Sequence, residues 1–144
     1  MSKPKIKRLL VLVASASAVA AINYSLFNTY FVFMALTVLL AHELGHYIIA
    51  KINGANPDLP FFIPMPIFSI GVTRIKNMRS LPNSVRRTIL AYGPITGFMA
   101  ALYLLVLSLI HYSIPTVPIL TLCISELIFN YFGSDGKKYR MLAN

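Results

Sequence analysis

Two of the three histidines flank a glutamate at fixed spacing, in the run His42-Glu43-Leu44-Gly45-His46. On a helix, residues i and i+4 share a face about 6 Å apart, so both imidazoles can reach one metal ion at about 2.0 to 2.1 Å. Glu43 is rotated about 100° from His42, so its carboxylate stands beside such an ion rather than on it, where it can accept a proton. A zinc ion held this way brings the pKa of a bound water to near 7 and polarises a carbonyl oxygen, which are the needs of peptide-bond hydrolysis. With so few histidines and acids, the pattern arises by accident in roughly one in several hundred chains of this composition. The competing reading, two histidines merely packed between helices, leaves unexplained why costly polar groups sit in an apolar segment.

A catalytic zinc takes three protein ligands and keeps one open position. The single Cys123 offers no cysteine pair, and the third histidine, His111, falls in a connection on the other side of the predicted spans. The remaining carboxylates are Asp58, Glu126 and Asp135. Asp135 is best placed by depth. The motif histidines precede Lys51 by about 7 to 14 Å at 1.5 Å per residue, and Asp135 lies just before Lys137, in a Gly133-Ser134-Asp135-Gly136 break that can turn the chain back. The set is therefore metal ligands His42, His46 and Asp135 around one zinc, with Glu43 as base. Glu126 and Asn130 share a helix face; Glu126 stays outside this set, as an interhelical hydrogen-bonding group or part of a water path.

The elements that position these residues belong to a membrane. Hydrophobic residues make up 57% and charged residues 12%, against roughly 25% charged in average soluble domains. Four stretches, 9–27, 30–50, 88–110 and 114–132, are long and apolar enough for spanning helices. The fold expected is an all-α membrane protein of about four transmembrane helices, one domain over 1–144. All thirteen basic residues lie in the N-terminal segment, the 52–87 region with Lys51, and the tail. Lys and Arg accumulate on the cytoplasmic side, so both termini and the metal motif face the cytoplasm. The clustering also sets the +9 net charge apart from a nucleic-acid surface. A basic start followed by the small-residue run 14–18 alternatively reads as a cleavable signal peptide.

Residues 56–75 contain Pro57, Pro60, Pro64 and Pro66 yet are rich in Phe, Ile and Met, which predicts a re-entrant or short β-containing loop on the cytoplasmic side. Its extended part, 68–75, can offer a strand edge to an unwound substrate, or serve only as a surface anchor. Gly93 and Gly97 form G-x-x-x-G, which lets two helix backbones approach closely.

With these segments in hand, the chain resembles the site-2 protease family of intramembrane metalloproteases. Ala41 to Tyr47 is similar to the family's zinc helix, Ala91 to Gly97 to its glycine-proline segment, and Ser134-Asp135-Gly136 to its third-ligand motif. Pro60 to Pro66 with Gly71 to Arg74 resembles the loop after the zinc helix. The resemblance implies a three-helix core, Asp135 as ligand, and cleavage of a transmembrane protein substrate near the cytoplasmic face, as in regulated intramembrane proteolysis. The family's Asn, followed by a proline, stands farther from the aspartate than Asn130 stands from Asp135. Asn130 as an oxyanion or substrate-positioning residue therefore competes with a plain helix contact. The expected partners are that substrate and the lipid bilayer, with no nucleic acid and with room for an oligomer or regulatory membrane partner; the expected setting is the plasma membrane of a prokaryote. The rival readings are a metal-ion transporter and a catalytically inactive helix-binding relative.

Overall fold

A computed structural model describes residues 3–24, 29–64, 70–111 and 116–142. The chain is mostly helical: α1 (Lys3–Tyr24), α2 (Thr29–Ile52), α3 (Asn83–Ile110), α4 (Thr116–Phe132) and a short α5 (Ser134–Met141). Between α2 and α3 lies a hairpin of β1 (Phe61–Ile63) and β2 (Ile70–Val72). Two helices, Tyr30–Ile52 within α2 and Asn83–Ile110, are long and apolar enough to cross a bilayer, and Thr116–Ile128 is apolar but shorter. The third helix begins five residues earlier than expected, after Pro82, whose fixed φ suits the position before a first turn. The break at Gly133 is followed by α5, a helix that the polar, glycine-containing tail did not announce.

The core is two facing rows of residues spaced by four. Along α2 the row is Met34, Val38, His42, His46 and Ala50; along α3 it is Ile89, Gly93, Gly97 and Ala101. The helices run antiparallel, so Val38 packs with Ala101 in one buried apolar cluster and Ala50 with Ile89 in another. Between the clusters, His46 faces Gly93 and His42 faces Gly97. Met34, Val38 and Ala101 meet Ile119 and Cys123, which places α4 against the same end of the pair. The imidazoles thus sit in a polar layer with apolar packing above and below. Side chains at i and i+4 share a helix face, which is why one row carries both the core residues and the histidines.

Close approach is what this arrangement demands of the sequence. A Cβ added to Gly45 would strike Thr96 Oγ1 and the carbonyl of Tyr92, and Thr96 Oγ1 donates a hydrogen bond to Ala41 O at 2.9 Å across the two helices. Small residues do this service commonly in membrane helix pairs.

Strands β1 and β2 pair antiparallel, Phe61 with Val72, Phe62 with Gly71 and Ile63 with Ile70. The outer edge of β1 is covered by α1, because Phe62 N–H donates to Ser15 Oγ at 3.1 Å. Opposite residues in an antiparallel ladder direct their backbone groups the same way with respect to the pair. Since Phe62 turns away from β2, Gly71 turns its N–H and C=O away from β1, toward an edge that no other described strand pairs with. Arg8 of α1 adds an ion pair to Asp58 at 2.8 Å, and Lys76 approaches the same carboxylate at 3.5 Å.

Overpacking a filled interior costs about 1–3 kcal/mol. Gly45→Val is therefore expected to lower the thermal unfolding temperature of the metal-free protein in detergent, while Gly54→Val, with nothing within 4 Å, brings only the local strain of its positive φ. Melts followed by circular dichroism check the difference.

Candidate metal centre

Each histidine of α2 is held at both ring nitrogens. His46 Nδ1 lies 2.8 Å from Ile89 O, and its Nε2 lies 3.0 Å from Asp135 Oδ2. His42 Nδ1 lies 3.2 Å from Glu126 Oε2, and its Nε2 lies 3.4 Å from the same Asp135 oxygen. A backbone carbonyl only accepts, so His46 Nδ1 carries the hydrogen and a neutral ring presents a lone pair at Nε2. A lone pair facing a carboxylate oxygen at 3.0 Å needs a positive charge in between, either a second ring proton or a metal ion. One ligand atom from each of His42, His46 and Asp135 lies within 4.8 Å of the others. For ligands about 2.0 to 2.1 Å from a shared ion, neighbouring corners of a tetrahedron are roughly 3.3 Å apart. The donor set, two imidazoles and a carboxylate, suits zinc.

Asp135 reaches this point from the first turn of α5. One turn further on, Tyr139 is clamped to α3: the Arg87 guanidinium donates to Tyr139 Oη at 3.2 Å and stands 4.9 Å from the ring centroid. The tail helix is thereby tied to the base of α3, with its aspartate beneath the α2 histidines. Burial pushes the Asp135 carboxyl upward, but hydrogen bonds from His42 and His46 outweigh it and hold the group well below the usual carboxylate range.

Glu43 is buried, only 5% exposed. Thr73 Oγ1, just past β2, lies 2.7 Å from Glu43 Oε2 and 3.0 Å from Glu43 O. Gly71 presses on the same side chain so closely that a Cβ there would collide with it. Glu43, His46 and Asp135 line a cleft of about 1070 Å³ together with Ile70, Gly71, Val72 and Thr73. Strand β2 therefore borders the cleft lined by Glu43, His46 and Asp135.

The structure brings His42, His46 and Asp135 together and puts Glu43 in the adjoining wall. Asn130 falls within α4, but its side chain lies outside the described residues. Asp58, weighed as a third ligand, is engaged with Arg8 and Lys76 instead. His111 caps the far end of α3. Glu126 contacts the site directly, through His42. Sequence reasoning assigned no role to Thr73, Arg87 or Tyr139; their partners are distant in the chain, and no spacing rule joins them.

No protein-family model matches the chain, and no solved structure matches it. Among curated proteins, a 74-residue stretch, 50% of this chain, is 39% identical to the Arabidopsis thaliana protein described as "Probable zinc metalloprotease EGY2, chloroplastic". The matched stretch spans 13% of that relative's length. The chain is thus related in part to a zinc metalloprotease and carries a His-His-Asp group able to hold a metal.

Loss of an outer-shell partner weakens metal binding by about 10–100-fold, so loss of a ligand should exceed that. His46→Ala and Asp135→Ala are expected to lower zinc affinity by more than roughly 100-fold, whereas Asp58→Ala leaves it unchanged. Competition against a chromophoric chelator reads all three.

Proposed function

We propose that the protein is a zinc-dependent intramembrane endopeptidase, cleaving a peptide bond in or beside the transmembrane segment of a membrane protein. The observation that carries this reading is the convergence of His42, His46 and Asp135 next to a buried Glu43, with Glu43, His46 and Asp135 lining a cleft bordered by β2, whose outer edge pairs with no other described strand. His42, His46 and Asp135 would hold one zinc ion. When bound, the ion supplies Lewis acidity, acidifying a water and polarising the scissile carbonyl.

The chain's own residues do the rest. Glu43 takes the proton from the attacking water and delivers it to the leaving nitrogen, the two halves of general acid–base work. Thr73 holds one Glu43 oxygen at 2.7 Å, which fixes the orientation of the base. Gly71 offers N–H and C=O from the edge of β2 that no other described strand pairs with, and an extended substrate pairing there would lie along the cleft wall. A helical substrate has no free backbone groups, so it must unwind to pair.

The membrane setting rests on the two long apolar helices and on what the helices show to the outside. Phe33 is 66% exposed, Leu109 64% and Val117 75%. Large apolar side chains exposed over so much of a small chain mark a surface meant for lipid or a partner. We read α1 and α4 as further spans, giving four, with the basic segments and the metal site toward the cytoplasm.

Glu43→Gln is expected to keep zinc and to lose cleavage of a single-span test substrate in detergent or vesicles by about 10²–10⁴-fold, the usual worth of an acid–base group. Zinc binding without Glu43-dependent cleavage across varied substrates would sink the peptidase reading, and zinc uptake into vesicles would favour transport instead. Thr73→Val should lower kcat with zinc affinity retained, measured on the same substrate.

A further inference from the structure

The two imidazoles of α2 are steadied in different ways. His46 donates from Nδ1 to a main-chain carbonyl, Ile89 O, which no substitution removes. His42 depends on a side chain brought from 84 residues away, the Glu126 carboxylate of α4, at 3.2 Å. We propose that Glu126 is a positioning residue for the metal centre: by accepting the Nδ1–H of His42 it fixes the ring with Nε2 turned toward Asp135 and His46. This role rests on the metal-site reading above.

Three observations carry it. First, the contact is sheltered, with both side chains 14% exposed, so water competes weakly for the imidazole proton. Second, α3 leaves room for the contact. A Cβ on Gly97 would stand 2.9 Å from Glu126 Oε2 and 3.1 Å from His42 Cβ, so the carboxylate passes over the helix where a side chain is missing. Third, the opposite ring nitrogen of His42 faces Asp135, so the two nitrogens have separate tasks, one toward a fixed acceptor and one toward the ligand cluster. A carboxylate on the far side of a ligating imidazole sets its tautomer and orientation and strengthens it as a donor to the ion. An interhelical hydrogen bond alone would need neither the gap at Gly97 nor the direction of the ring.

The experiment compares full-length wild type with Glu126→Leu, Glu126→Gln and Gly97→Ala. Zinc affinity is read by chelator competition and site geometry by the visible spectrum of the cobalt-substituted protein; circular dichroism melts without metal report folding. Glu126→Leu, which keeps bulk and removes the acceptor, should bind zinc about 10–100-fold more weakly with an altered cobalt spectrum. Glu126→Gln retains an acceptor oxygen and should stay within a few-fold of wild type. Gly97→Ala, which displaces the carboxylate and leaves its chemistry intact, should shift in the same direction as Glu126→Leu. Wild-type affinity and spectrum in Glu126→Leu would overturn the proposal while leaving the metal site standing. Should that variant not fold, a Gly97→Ala protein indistinguishable from wild type overturns it equally. A wild-type protein that binds neither metal overturns the metal site itself, and this role with it.

Discussion

Polar groups inside apolar helices are costly unless each finds a partner, and the arrangement of this protein follows from that demand. His46 is answered by Ile89 O, His42 by Glu126, Glu43 by Thr73, and both outer ring nitrogens by Asp135. These partners come from α3, α4, the segment after β2, and α5. The polar layer thus draws on α3, α4, α5 and the segment after β2, and its geometry decides where those parts must lie.

The requirement has a cost in helix propensity. Glycine in a helix interior is about 1 kcal/mol worse than alanine, and α3 carries Gly93 and Gly97 with Pro94 between them. The stretch that faces the imidazoles is therefore the weakest part of α3 taken alone. It is bracketed by apolar packing, Ile89 with Ala50 on one side and Ala101 with Val38 on the other. Stability is supplied at the two ends of the helix pair, and the middle is left free for bulky rings and a carboxylate.

The meeting of His42, His46 and Asp135, with Glu43 beside them, was legible because its cues are local or nearly so: a helical repeat fixes the three residues of α2, and elimination pointed to the aspartate. The prolines between 57 and 66 marked the irregular segment, and the hairpin falls within it. The two longest apolar runs correspond to α2 and α3 within a few residues. What was not legible is pairwise contact between remote residues. Thr73 on Glu43, Arg87 on Tyr139 and Glu126 on His42 each join segments whose approach depends on the whole packing. Glu126 could be seen to lie in an apolar helix, but a face shared with Asn130 says nothing of which neighbour it meets. The short helix after Gly133 escaped notice because a polar eight-residue segment has no periodic apolar signal; its order comes from the clamp at Tyr139.

The attachment of β1 to α1 bears on the status of the first helix. Ser15 accepts the Phe62 N–H, and Arg8 takes the Asp58 carboxylate. Were the first 24 residues clipped off as a leader, Phe62 would lose its acceptor, the outer margin of β1 would be bare, and Asp58 would keep Lys76 alone. Among the described residues neither edge of the hairpin would then be covered, and under the proposed function an incoming chain could dock on the edge away from the glutamate. In that sense α1 works as a splint for β1: it occupies one flank of the hairpin, so under the proposed function a guest strand is directed to the other.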